Sequence, residues 1–408
     1  MVLLTESLVA DSSTTQRSEI ELLLCCTRTQ ISPEYADRIR HLVSQNLDWD
    51  YLVQTARWHG VLPLLYRQLK DICPSAVPQD VLLALRSKFQ ANAYKNLHLT
   101  AELLILLDVF KEKNIPVLPF KGPLLAISVY KQLAMRDFVD LDILVPKEFV
   151  VSAGDLLNAC GYSPQFNLSA ALTKSYINIG NEQMFKNTKK QITIDLHWHL
   201  LPKPFPDNDT LVWSNCELVY YETNILQTLS AENLLLYLCE HGAKHSWSHL
   251  KFICDLAELI RSHPDLDWDW ILTQSGQRKT RRMLFLSLYL CQHLLDTVLP
   301  EKLCQQLPAN QAVAIIASQV QNQLFSPSKE SGNIFKQRRI YINTLSWKDR
   351  LWVYLSTLIT PTPLELTAIP LPNWLFPLYY LIRPIRLTIK HGTQKFNSVW
   401  NIFTTPTG

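Results

Sequence analysis

The sequence predicts an α+β protein, a small mixed β-sheet flanked by N-terminal and C-terminal helical regions. Helical periodicity dominates residues 19–112 and returns after 230, whereas short β-branched runs are confined to 115–201. With 408 residues, 47% apolar and 18% charged, the chain can bury a large core in two or three domains. The expected division is a disordered N-terminus over 1–17, a helical region over 18–112, an α/β core over 113–228, a helical domain over 229–325, and a linker with an aromatic and basic tail over 326–408.

Taken in order, residues 1–17 are polar and Ser/Thr-rich, and Glu6 and Asp11 with no basic start argue against a signal peptide. Helices are expected at Glu19–Cys26, Pro33–Gln45, Trp49–His59, Val61–Lys70, Pro78–Leu97 and Leu99–Glu112, with Asp48 as an N-cap. Ile115–Phe120 reads as a buried strand delivering Lys121-Gly122-Pro123 into a turn, followed by a helix over Leu124–Leu133. Asp140–Val145 is a strand, and Pro146-Lys147-Glu148-Phe149 opens a helix that Gly161 closes. Tyr162–Phe166 is a candidate strand, and Glu182–Asn187 with Gln191–His197 resembles a hairpin. Pro202–Asp209 is a loop, a boundary or a lid. Helices resume at Ser230-Ala231-Glu232, with Trp268-Asp269-Trp270 as another helix start, and Ser326–Gly332 is a polar linker.

The chemistry is concentrated in the strand Asp140-Leu141-Asp142-Ile143-Leu144-Val145, which puts two carboxylates on one face. Two unit charges about 4 Å apart repel by roughly 4 kcal/mol at an effective dielectric of about 20, and apolar flanks worsen this. A cation relieves the repulsion, and magnesium is the usual one, being held by one or two carboxylates plus substrate phosphates. The alternative is the wet face of an exposed edge strand that binds nothing. Asp195 adds a third acid in a second β-like run, with His197 and His199 on the same face by alternation. His197 then either orients the acids and takes a proton, or hydrogen-bonds a neighbouring strand. Lys121 supplies a point charge for phosphate, Gly122 allows close backbone approach, and Arg136 pairs with phosphate or with a carboxylate.

The Gly turn, the Asp-x-Asp strand and the later lone Asp strand resemble the nucleotidyltransferase superfamily related to DNA polymerase beta. More narrowly, Lys121-Gly122, Tyr130, Arg136, Asp140–Val145, His241-Gly242-Ala243-Lys244-His245 and Leu250–Asp255 resemble a bacterial group of uncharacterised nucleotidyltransferase-like proteins, over about residues 40–300. Two features depart from the superfamily: Gly122-Pro123 stands where Gly-Ser or Gly-Gly is usual, and 18 positions separate Gly122 from Asp140. Proline donates no backbone hydrogen bond to phosphate. The resemblance implies Asp140, Asp142 and Asp195 as catalytic residues and ligands of magnesium or manganese. It implies Lys121, Gly122, Arg136, His241, Lys244 and His245 as nucleotide contacts, a nucleoside triphosphate (ATP) as co-substrate, and a hydroxyl of a small molecule or protein as acceptor. The competing expectation is an inactive member serving as a scaffold in a biosynthetic assembly.

His241, His245 and His249 fall at i, i+4 and i+8, so a single helix would carry them on one side. That pattern suits a structural polar cluster, a face toward nucleotide or acceptor, or a zinc site, although Gly242 stands where a helical zinc protease needs glutamate. Nine cysteines without a C-x-x-C pair read as reduced thiols of a cytoplasmic protein. A formal charge of +3 with scattered Lys and Arg argues against long nucleic acid as a partner. No uncharged apolar run reaches about 18 residues, so no transmembrane helix is expected. The tail, with Trp374, Arg383, Arg386, Lys390 and Lys395, either packs on the catalytic body or lies on an anionic membrane surface.

Overall fold

A computed structural model describes residues 17–201, 209–307, 311–325 and 340–389. The polar N-terminus up to residue 16, the loop 202–208, the linker Ser326–Gly332 and the basic residues Lys390 and Lys395 lie outside the described residues.

The chain opens with α1 (Ser18–Cys26), α2 (Pro33–Val43), α3 (Trp49–Trp58), α4 (Leu62–Ile72) and α5 (Gln79–Glu112). Asp48 caps α3 by accepting a hydrogen bond from the Tyr51 amide at 2.9 Å. The two helices expected over 78–112 are one helix of 34 residues. Nothing between Leu97 and Leu99 breaks the pattern, since Leu99 is buried and the Thr100 hydroxyl donates back to the Asn96 carbonyl at 2.7 Å.

The core follows as β1 (Leu118–Phe120), α6 (Gly122–Ser128), β2 (Asp140–Leu144), α7 (Val150–Ala159), β3 (Ser163–Pro164), α8 (Ala170–Ile177), β4 (Glu182–Asn187) and β5 (Ile192–His197). These strands form one mixed sheet in the order β1-β2-β5-β4-β3. Only the β2–β5 pair is parallel, and the β4–β5 hairpin forms as expected except that β5 begins one residue later, at Ile192, because Gln191 takes a φ of +56° in the turn. β3 is shorter than expected because Pro164, which cannot donate to a ladder, sits on the sheet edge. The helix expected over 124–133 stops at Ser128, and a 3-10 turn at Leu133–Met135 follows Lys131, whose φ is +61°.

After α9 (Asp209–Ser214), an unforeseen hairpin of β6 (Cys216–Tyr221) and β7 (Asn224–Leu229) docks on β1, where the Thr228 hydroxyl donates to the Pro119 carbonyl at 2.7 Å. The second helical region is α10 (Ala231–Lys244), α11 (Leu250–Ser262), α12 (Trp268–Gln277), α13 (Arg281–Leu295), α14 (Glu301–Gln306) and α15 (Gln311–Leu324). Ser230 caps α10 through the Asn233 amide, and Asp267 caps α12 through the Trp270 amide.

Two apolar cores result. Leu141, Ile143, Ile192, Ile194 and Leu196 point to a core shared with α5 and α7. Phe120 and Leu144 point the other way, into the core of the N-terminal helices and α10–α13. Strand alternation therefore leaves Asp140, Asp142, Asp195 and His197 on the face beneath α10. The described part of the tail packs on α8 through Leu172, Leu366 and Tyr379.

Candidate active site

The register of the parallel pair sets the acids. Asp142 lies opposite Asp195, Asp140 opposite Thr193, and Leu144 opposite His197. Phe120, the last residue of β1, lies opposite Asp142, so the turn after β1 begins directly beside that carboxylate. There Lys121 takes a φ of +55° and Gly122 a φ of +40°. A Cβ at Gly122 would stand 3.3 Å from the Asp140 carbonyl oxygen, so the glycine serves both the turn and the close packing on β2. A left-handed lysine costs of order 1–3 kcal/mol, and here it folds the Lys121 ammonium back onto Asp142 Oδ1 at 2.6 Å. Pro123 falls in the first turn of α6, where a missing amide hydrogen does no harm to the helix.

A chain of polar side chains runs from this pair. His197 Nε2 lies 3.3 Å from Asp142 Oδ1, and its Nδ1 faces Glu182 Oε2 at 3.4 Å without hydrogen-bond geometry. The other Glu182 oxygen meets Lys244 at 3.3 Å. Glu182 owes its place to the β4–β5 register, which sets it opposite His197. Burial would raise the Asp142 carboxyl, but Lys121 and His197 overcome it and hold it down at about 2. Asp195 has no such cation: burial, and then the Asp142 charge, push it up to about 6. Asp140 is likewise raised, by burial and by Asp142.

Asp142, Asp195 and His197 each offer a ligand atom within 4.8 Å of the others, and they form the group able to hold a metal ion among the described residues. Asp140, expected as a ligand, is not in this group, and His197 takes the third place. Two carboxylate oxygens and an imidazole suit a hard or borderline divalent cation. The geometry therefore fits a metal, and Lys121 pairs with Asp142 beside it.

Arg136, close enough to act on Asp140, is held by a different carboxylate. Its Nε and Nη2 donate to the two oxygens of Asp255 at 2.8 and 2.9 Å, and the Tyr130 hydroxyl donates to the same carboxylate at 2.8 Å. The loop that carries it is fastened to α5. Asn92 Nδ2 donates to the carbonyls of Ala134 and Arg136 at 3.1 and 3.2 Å. Asn96 Nδ2 donates to those of Leu133 and Arg136 at 2.6 and 2.7 Å, and Lys95 pairs with Asp137 at 2.5 Å.

The three histidines do not share a helix. α10 ends at Lys244, His245 is its cap, Ser246 and Trp247 take φ of +54° and +46°, and His249 precedes α11. Trp247 turns back beneath Gly242, where a Cβ would stand 2.7 Å from its indole nitrogen. The imidazoles gather instead around Phe252, His245 stacking on it at 5.4 Å, His241 edge-on at 5.4 Å and His249 at 6.0 Å. They are not among the metal-holding groups of the described residues, so the helical zinc site is not formed. His241 also stacks on Tyr237, and burial followed by Lys121 keeps it neutral. Lys244 and His245 stand on the exposed rim of α10.

Glu182, Tyr237 and Asp255 complete the surroundings of the site; the sequence assigns no role to any of them, though Asp255 ends a stretch that carries the family resemblance. The available signal was pairing: Glu182 is the strand residue that register must set against His197.

Residues 45–296 match the profile of a family described as uncharacterised nucleotidyltransferase. The match covers more than half of the chain, and the protein belongs to that family. No curated protein and no solved structure matches it. Among the described residues no helix is long and apolar enough to cross a membrane.

Proposed function

We propose that the protein transfers a nucleoside monophosphate, AMP from ATP, to a hydroxyl of a small molecule or of a protein. The observation that carries this reading is the in-register pair of Asp142 and Asp195 with His197 beside them, in a chain of this family. Asp142, Asp195 and His197 would hold a divalent ion, magnesium or manganese, with Asp140 adding negative charge at the rim. Bound there, the ion supplies positive charge to the triphosphate and lowers the cost of the developing negative charge.

Asp195, beside the ion, accepts the proton of the acceptor hydroxyl and so helps activate it. The acceptor oxygen forms its bond to the α-phosphorus as the bond to pyrophosphate breaks, in line. Lys121 leaves Asp142 to neutralise phosphate charge, and Gly122 leaves room for the phosphate to approach the backbone. Tyr237 and Phe120 wall the site, with ring centroids 5.1 Å apart. His241, Lys244 and His245 face the nucleotide or acceptor from the end of α10.

The test is thermal shift with each of the four nucleoside triphosphates, with and without magnesium or manganese, on wild type and on an Asp140→Asn/Asp142→Asn double variant. A metal-dependent shift with ATP that the double variant lacks is the expected result. Folded wild type that responds to no nucleotide would overturn this reading in favour of a scaffold.

A further inference from the structure

The turn between α3 and α4 reaches under the start of α11. The Lys251 amide donates to the His59 carbonyl at 3.1 Å, the Leu250 amide donates to His59 Nδ1 at 3.2 Å, and His249 Nδ1 lies 2.7 Å from the Trp58 carbonyl. Gly60, with φ of +69°, makes room for the Lys251 stem: a Cβ there would stand 2.9 Å from Lys251 Cδ. The N-terminal helical region thus directs a half-buried lysine toward the acidic strand.

No carboxylate among the described residues pairs with that lysine. Its charged neighbours are Arg136, which repels it, and Asp255, Asp137 and Asp140. Asp255 is occupied by Arg136 and Tyr130, and Asp137 by Lys95. Arg136 in turn is not fully used. Its side chain is 10% exposed, yet its Nη1 is buried with no hydrogen-bond partner. Lys251 and Asp255 stand one turn apart on α11, so the ammonium and the guanidinium held by Asp255 lie side by side, with Asp140 as the neighbouring carboxylate that forms no ion pair among the described residues and one guanidinium donor idle. Burial and the Arg136 charge together hold the Lys251 ammonium below its ordinary range, as expected of a cation waiting for a counter-charge.

We propose that Lys251 and Arg136 Nη1 form the seat for the terminal phosphates of the nucleoside triphosphate, with Gly60 as the positioning residue that steers Lys251 into it. The inference rests on the nucleotidyltransferase reading above and adds to it. Asp255 then has a double task, fixing the guanidinium by two nitrogens while leaving the third free for phosphate. It also follows that the N-terminal helices are part of the nucleotide site.

The experiment is calorimetric titration of the full chain, in magnesium, with ATP, ADP, AMP and inorganic tripolyphosphate, using wild type, Lys251→Met and Lys251→Arg. Methionine keeps the apolar stem that packs on Gly60, and thermal unfolding checks that each variant is folded. Wild-type affinity is expected to rise with phosphate number. Lys251→Met should lose about tenfold or more for ATP and tripolyphosphate, the value of one charge-assisted contact, with AMP unchanged and arginine restoring most of it. Gly60→Ala, which displaces the stem but keeps the charge, should weaken ATP in the same phosphate-dependent way. Lys251→Met binding ATP as wild type does would overturn this inference alone. Wild type that binds neither nucleotide nor tripolyphosphate would overturn it together with the proposed function.

Discussion

Two ion pairs flank the segment 121–136, and they are buried alike: Lys121–Asp142 has side chains 10% and 3% exposed, Arg136–Asp255 10% and 4%. They differ in completeness. Asp255 receives two nitrogens of one planar guanidinium and a tyrosine hydroxyl, so its charge is met by matched donors. Asp142 receives a single ammonium, shares its oxygen with an imidazole, and stands beside two further acids whose carboxyls are raised. Equal burial therefore hides unequal purposes. The Asp255 pair braces α11 against the loop, while the Asp142 pair lies among further acids that it does not balance.

The comparison breaks most visibly at Asp255. Asp255→Asn strands a buried guanidinium and should cost about 3–5 kcal/mol of stability, read as a fall in the denaturant midpoint. Arg136→Lys keeps the charge but loses the fork, for a loss of about 2 kcal/mol. Asp142→Asn should cost less, about 1–2 kcal/mol, because Asp140 remains near Lys121 to balance its charge. If Asp142→Asn proves as damaging as Asp255→Asn, both pairs are structural and the contrast fails.

A pH titration of stability, with chelator present, sharpens the contrast within the site. Asp195 has a folded value of about 6, above that of an unfolded aspartate, so the folded state holds its proton longer. Its contribution should therefore fall as pH rises from about 4 to 6 and stay level above, by about 1–2 kcal/mol after solvent screening. Asp142, held at about 2, has the opposite sign: its stabilisation is present above about 4 and is lost as pH falls toward 2. The difference between wild type and Asp195→Asn across pH 4–6 isolates the first slope, and parallel curves would refute it. The smallest expected change is in Asp140→Asn, with stability unchanged or higher by up to about 1 kcal/mol and transferase activity lost. A large loss of stability there would make Asp140 a structural partner.

How far the sequence could be read follows from what each signal depends on. The acids of β2 and β5 were legible because alternation within a strand is local, and the β4–β5 hairpin, the cap Asp48 and the helix start at Ser230 were legible for the same reason. The replacement of Asp140 by His197 in the metal-holding group was not, since it depends on the register between β2 and β5, set by residues fifty apart. The histidine spacing misled because helical periodicity says nothing of the Trp247 turn, which exists through tertiary burial of that indole beneath Gly242. Lys251 carried little local signal: apart from Asp255, one turn on in α11, its neighbours come from the turn after α3, the 131–137 loop and β2.

The fastening of the Arg136 loop to α5 constrains how this chain can change length. Asn92 and Asn96 are one turn apart, and Leu85, about two turns earlier on the same helix, is rooted in the N-terminal core. One residue inserted between Leu85 and Asn92 would swing the bundle by about 100° around the helix axis relative to the loop. His59 and Gly60 would be carried away from α11 with it. Relatives that keep this site are therefore expected to vary here by substitution, or by whole turns of three to four residues, so that α5 acts as a phase-locked ruler between two halves of one machine.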